Sequence, residues 1–213
     1  MTPGTLVLLH SPLTTAAAWG RVPGTLRTYG LNVVAPEITD DDRQPYAGRY
    51  VAGAALAIGA ARPEPPLVLV GQGDAGPLLP PIGAAQRAAH RLVGAYVFCD
   101  ATLPGPAAAS RLDQIAADDP AYAAELRRRL DRGERVAPRT GGDAVPRGAD
   151  YFTEELPMPQ DWPDAPCGYL RTASGGGERQ ARQAALRGWP VREHGDDAPD
   201  GLAAALRALI AEL

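Results

Sequence analysis

The chain has 213 residues, a net charge of −4 and a pI near 5.4, and its basic residues are all arginine. That balance argues against nucleic acid and anionic membrane as partners, and no stretch approaches the roughly 18–20 apolar residues of a membrane span. The length suits one domain with a full core and a ligand pocket. Abundant alanine, glycine and proline point to a high-GC genome rather than to thermal adaptation. Cys99 and Cys167 both fall in apolar, strand-like runs and read as free buried thiols. With no basic flank or long apolar core at the N-terminus, the expected location is the cytoplasm.

In chain order, strands alternate with helices, the pattern of a parallel α/β sheet. Leu6–Leu9 is expected as a buried strand, followed by a helix over 15–29 that ends at Gly30. Asn32–Ala35 is a second strand, stopped by Pro36, and a small-residue helix covers about 47–61. The strand Leu67–Val70 leads through a glycine-rich turn into a helix from about Ala75 to His90, whose prolines are tolerable only in its early turns. Gly94–Cys99 is a fourth strand, with Cys167–Arg171 and Val191–Arg192 as short fifth and sixth strands. Helices are expected over 178–187 and 201–212, the second with Leu202, Leu206, Leu209, Ile210 and Leu213 on one face. Residues 101–163 break the alternation: two charged helical stretches, about 107–117 and 120–132, precede a Gly/Pro-rich passage, Arg139–Gly148. An insertion between the fourth and fifth strands lies over the carboxyl ends of the sheet, where ligands bind, so this segment is expected to be a lid within a single domain spanning 1–213. The first strand could form an exposed edge or a dimer seam.

The turn after the third strand reads Gly71-Gln72-Gly73-Asp74-Ala75-Gly76. Four further passages accompany it: LVLLHSPLTTAAAWGRVPGTLRTYGLNVVAPEI from Leu6, VFCDATLPGP from Val97, and WPDAPCGYL and GWPVRE near the end. In this order they resemble small α/β-hydrolases of the esterase and hydroxynitrile-lyase type over nearly the whole chain, closest to actinobacterial members. The resemblance implies an α/β-hydrolase fold in minimal form, a mostly parallel sheet of about six strands flanked by helices, with a helical lid and no antiparallel edge.

Measured against the pattern G-x-S-x-G, the nucleophile position holds Gly73, and Gln72 stands where those actinobacterial relatives have histidine. Loss of a serine nucleophile typically costs about 10⁶-fold in turnover. The family's catalytic histidine follows the last strand in a G-G-H loop. Here Glu193 is followed by His194-Gly195-Asp196-Asp197-Ala198-Pro199, a shorter loop with no counterpart. Pro12 has no N–H for the oxyanion hole, which leaves Ser11 O–H or Leu13 N–H as substitutes beside the Asp74 amide. The candidate catalytic groups are Asp74, Asp100, Gln72 and Ser11, and the candidate substrate-binding residues are Gly73, Pro12, Leu13 and His194. Each has a plainer alternative: Asp74 as a helix cap, Asp100 held by loop amides, His194 as a structural or exposed ring. His10 and Trp19 match family positions that are structural and core. The Arg-rich run Leu126–Arg135 reads as a solvated helix face, or else as contact for an acidic substrate tail or acyl-carrier partner. No metal-ligand spacing and no cofactor motif occurs, since Gly175-Gly176-Gly177 lacks the P-loop lysine.

Three functions follow. One is a non-hydrolytic cyclase, isomerase or lyase acting on a small carbonyl-bearing metabolite, in specialised metabolism. A second is a pseudo-hydrolase that binds a ligand or partner. A third is a hydrolase with a relocated nucleophile or a substrate-activated water. A homodimer is compatible with each.

Overall fold

A computed structural model describes residues 3–39, 42–105, 109–137, 145–173, 175, 177–195 and 201–213. Six strands form one parallel sheet: β1 (Thr5–Leu9), β2 (Val33–Val34), β3 (Leu67–Gln72), β4 (Val93–Cys99), β5 (Cys167–Thr172) and β6 (Val191–His194), in the order β2-β1-β3-β4-β5-β6. The strand β1 is therefore internal rather than an edge: β2, though only two residues long, covers it, and the edges are β2 and β6. Both faces are apolar because each strand alternates large apolar residues with others equally apolar, as a sheet sandwiched between helices requires. Val7, Leu9, Leu67, Leu69, Tyr96, Phe98 and Tyr169 pack on one side, against α2 (Tyr46–Ala60), α3 (Leu79–Ala88) and α7 (Glu178–Leu186). Leu6, Leu8, Val68, Val70, Val97 and Leu170 pack on the other, against α1 (Val22–Thr28) and α8 (Gly201–Glu212). The two cysteines are free and buried.

Two expected helices are each divided. The segment 15–29 is a 3₁₀ turn, Ala16–Trp19, and then α1, separated by Gly20 at φ +51°, a left-handed conformation that no helix continues through. The segment 75–90 opens as a 3₁₀ turn, Gly73–Leu78, which contains Pro77; α3 then starts with Pro80 and Pro81 in its first turn, where no intrahelical N–H donor is needed. Along α8, Leu206, Leu209 and Ile210 are buried as the spacing predicts.

Between β4 and β5 the chain leaves the sheet and builds α4 (Arg111–Asp118), α5 (Pro120–Asp131) and a short α6 (Ala149–Thr153). The last falls beyond the two expected helices, in a stretch without periodicity. Ser110 and Asp113 form a reciprocal capping box at the start of α4, which holds the Asp113 carboxyl below the usual carboxylate range. Asp119 caps α5 by accepting the Tyr122 N–H at 2.9 Å. These helices enclose their own apolar cluster of Leu112, Ala123, Leu126, Leu130, Val136, Tyr151 and Phe152. The arginines of 126–135 lie on its outer surface in ion pairs such as Arg128–Glu125, Arg132–Glu134 and Arg135–Asp42. Most of the Gly/Pro-rich passage, the middle of the three-glycine run and the loop 196–200 lie outside the described residues. Among the described residues no helix is long and apolar enough to cross a membrane.

Candidate functional site

Five strands deliver their carboxyl ends to one cavity of about 720 Å³, a volume typical of small-molecule sites. Ser11 comes from just beyond β1, Gln72 to Asp74 from β3, Cys99 and Asp100 from β4, Thr172 from β5 and His194 from β6. The excursion between β4 and β5 supplies the facing wall, including Arg111, Ile115, Tyr122, Phe152 and Leu156. Most of the proposed site residues therefore meet in one place although they are scattered over nearly two hundred positions.

The turn at the floor has the geometry of a strained elbow. Gln72 is extended, at φ −103° and ψ 138°, and Gly73 is left-handed at φ +56°. A side chain in that conformation would be costly, and glycine adopts it freely. The turn packs closely on the segment just past β4: Thr102 N–H donates to Gly73 O at 3.2 Å, and a Cβ at Gly76 would lie 2.1 Å from Thr102 O. Gly73 thus borders the cavity with backbone alone.

The next residue supplies two functional groups. The Asp74 N–H donates to Ser11 Oγ at 3.1 Å. Ser11 is buried and lines the cavity, and its hydroxyl proton has no acceptor among the described residues, so it is available to a ligand. Asp74 also lines the cavity, and its carboxyl accepts no hydrogen bond from a described residue. Burial pushes its pKa from 3.8 up to about 6, against the opposing pull of the Arg111 charge. Gln72 contributes a buried side-chain oxygen that meets no donor among the described residues.

Asp100 is held differently. Its carboxylate accepts from Thr172 N–H at 2.7 Å and from Thr172 Oγ1 at 2.6 Å, across the β4–β5 boundary. The backbone at Asp100 is left-handed, at φ +45°, and Gly175 approaches so closely that a Cβ there would lie 2.1 Å from the Asp100 carboxyl carbon. His194 reaches the cavity rim, with its ring against Gly201 at the start of α8.

Pro12 and Leu13 stand apart from the cavity floor. Thr14 N–H donates to Ser11 O at 3.1 Å and Leu13 is at φ +69°, the pattern of a type II turn with proline in its first corner. That turn sends Leu13 into the apolar cluster of the excursion and leaves Pro12 beside a separate hollow of about 20 Å³. His10 braces the loop from below. Its Nδ1 donates to Ser11 O at 2.9 Å, its Nε2 accepts the Ile38 N–H at 3.1 Å, and the Tyr50 hydroxyl donates to its carbonyl.

Arg111 was not singled out by sequence. It follows a helix cap, a position usually solvated, yet its side chain is only 8% exposed. The capping signal Ser-Arg-Leu-Asp locates the start of α4 but says nothing of which side the arginine takes.

No family model matches the chain, and no curated protein matches it in sequence. Solved structures do match. An extracellular α/β-hydrolase from a Paenibacillus species, described as sharing structural and functional homology with tobacco salicylic acid binding protein 2, superposes with a TM-score of 0.71 at 19% identity, over 97% of this chain and 99% of that one. Tomato methylketone synthase I, in a variant complexed with β-ketoheptanoate, gives 0.63 at 13% identity over 100% and 98%. A variant of polyneuridine aldehyde esterase gives 0.58 at 15% identity over 98% of each chain. This is an α/β-hydrolase fold. In this chain the sharp turn after β3 has Gly73 at its corner.

Proposed function

We propose that this α/β-hydrolase-like protein is a non-hydrolytic enzyme that moves a proton on a small carbonyl-bearing metabolite, as an isomerase, cyclase or lyase, in bacterial specialised metabolism. The observation that carries this reading is the pairing at the elbow: glycine at the nucleophile corner, and beside it a cavity-facing Asp74 carboxyl with no hydrogen-bond donor among the described residues. A carboxyl with a pKa near 6 is close to the optimum for taking and returning a proton at neutral pH. Ser11, fixed by the Asp74 N–H, has its O–H to give. A substrate carbonyl oxygen accepting that O–H would have its α-proton within range of Asp74. Removal of the proton forms an enolate whose charge is stabilised by the Ser11 hydroxyl, itself polarised by the Asp74 N–H. Return of the proton from Asp74 to a different carbon gives an isomer; attack of the enolate carbon on a second carbonyl of the substrate closes a ring and leaves an alkoxide, which takes the proton back from Asp74. Neither outcome needs a covalent intermediate with the protein, because positioning in the cavity supplies the main advantage.

The excursion over 101–163 serves in this reading as the lid that keeps water from the enolate. Asp100, tied to Thr172, supports the β4–β5 end of the site rather than exchanging protons.

The test is deuterium exchange at the α-carbon of small keto compounds in D₂O, followed by proton NMR. β-Ketoheptanoate, the ligand of the tomato synthase, makes a suitable first member of the panel. Exchange is expected with a kinetic pKa near 6, reduced at least about 100-fold by Asp74→Asn and about tenfold or more by Ser11→Ala. Binding without exchange would mark a ligand-binding pseudoenzyme. Ester turnover abolished by Asp74→Asn would instead mark a hydrolase with a relocated nucleophile.

A further inference from the structure

Arg111 is the only arginine among the described residues that line the cavity, and its cation is poorly neutralised there. Nη1 donates to Tyr151 O at 3.0 Å and stands 3.4 Å from Glu154 Oε2. That same carboxylate oxygen also accepts the Ala47 N–H at 3.0 Å, so its charge is shared. The guanidinium carbon sits 4.0 Å from the centre of the Tyr151 ring. The N–H groups on Nε and Nη2 donate to no described residue, although a guanidinium offers five donors in a planar fork. Burying a cation with its Nε and Nη2 donors unused is costly unless a ligand completes the set.

The neighbouring carboxylates are already occupied, with one exception. Asp100 is held by Thr172, Asp118 by Arg179 and Gln180, and Asp119 by the α5 cap. Among the described residues that line the cavity, Asp74, on the floor, is the one carboxylate without such a partner. Ile115, Phe152 and Leu156 give part of the wall an apolar surface, beside Gln114, Asp118, Asp119 and Tyr122.

We infer that the substrate carries a carboxylate as well as the reacting carbonyl, and that the open fork of Arg111 binds this carboxylate and retains it through the reaction. The inference rests on the reading of the cavity as a site for a small carbonyl compound and names the class, a keto acid with an apolar chain. A two-point grip, carboxylate on Arg111 and carbonyl on Ser11, fixes which carbon faces Asp74. It also separates this chemistry from decarboxylation. A carboxylate leaving as carbon dioxide loses its charge in the transition state, so an ion pair to it raises that barrier.

Binding of β-ketoheptanoate and of its methyl ester is measured by saturation-transfer NMR and calorimetry on the wild-type chain, Arg111→Met and Glu154→Gln. The acid is expected to bind the wild type at least tenfold more tightly than the ester, and Arg111→Met to abolish the preference. Glu154→Gln removes the competing carboxylate while an amide oxygen can still accept from Ala47, so it should tighten acid binding and leave the ester unchanged. If Arg111→Met fails to fold, as judged by circular dichroism, Glu154→Gln decides. Equal binding of acid and ester, binding of neither, no gain in Glu154→Gln, or accelerated release of carbon dioxide overturns the inference. Selective acid binding without deuterium exchange would leave it standing while refuting the proton-transfer role, so the two readings fail separately.

Discussion

Replacing Asp74 with asparagine isolates the buried carboxyl and can be read without knowing the substrate. Asparagine matches the shape of the protonated acid and does not titrate. The Asp74 pKa is raised from 3.8 to about 6, chiefly by burial, so the native state holds this proton more tightly than the unfolded chain does. The stabilising contribution is therefore complete below about pH 4 and is lost as pH rises through about 6, where the folded protein must carry a desolvated charge. Two units at about 1.4 kcal/mol each set an upper limit of roughly 3 kcal/mol. Because the carboxyl borders a cavity that admits solvent, screening reduces this to about 1–2 kcal/mol. Urea unfolding of the wild type and Asp74→Asn across about pH 4 to 8 gives the comparison. The two should be nearly equal in stability at the acid end, and the variant more stable by about 1–2 kcal/mol at the alkaline end. A stability difference that stays flat over this range would refute the assignment of Asp74 as a buried, proton-retaining acid. The argument for its chemistry would then fail as well.

Two further substitutions probe the frame of the site. Gly76→Ala puts a methyl group 2.1 Å from Thr102 O and 2.9 Å from Ala101 Cβ, a backbone collision that no rotamer relieves. It should cost about 2–4 kcal/mol in urea unfolding, and a loss below about 0.5 kcal/mol would show that the elbow does not pack on this segment as described. Asp100→Ala leaves the Thr172 N–H and hydroxyl without their acceptor and is expected to cost about 2–3 kcal/mol. Asp100→Asn should recover a large part of this because its amide oxygen can still accept. Equal losses for the two would mean that charge, rather than hydrogen bonding, holds the β4–β5 boundary.

The sheet was legible because its determinants are local. Leu67–Val70 and Gly94–Cys99 are short apolar runs bounded by turn residues, and parallel strands covered on both faces read as just such runs. The divided helices were less so, since a single glycine at φ +51° interrupts an otherwise continuous helical pattern over 15–29 without altering its periodicity. The cavity floor could be anticipated for the same reason as the sheet. Once the strands are placed, the residues at or just past their carboxyl ends converge, and Ser11, Gln72, Asp74, Asp100 and His194 all do so. Pro12 and Leu13 lie in the same loop as Ser11 but are carried away by the turn that Leu13 closes in a left-handed conformation, a choice nonglycine residues make only where surrounding contacts impose it.

The opposite wall was not legible, and the reason bears on the function. Arg111 sits one residue past a helix cap, where sequence gives no cause to bury a charge. Its burial arises only when α6, seventeen residues beyond α5 and without periodic signal, places Tyr151 beneath the guanidinium and Glu154 at its side. Neither partner has a sequence relation to Arg111, so the placement of this cation depends on how the excursion folds. The floor of the cavity is thus set by the sheet and the wall by the inserted helices. If the floor carries the proton chemistry and the wall carries the carboxylate grip, substitutions at Asp74 should act on the rate of exchange. Those at Glu154 should act on affinity for the acid, with little effect on the exchange rate at saturation.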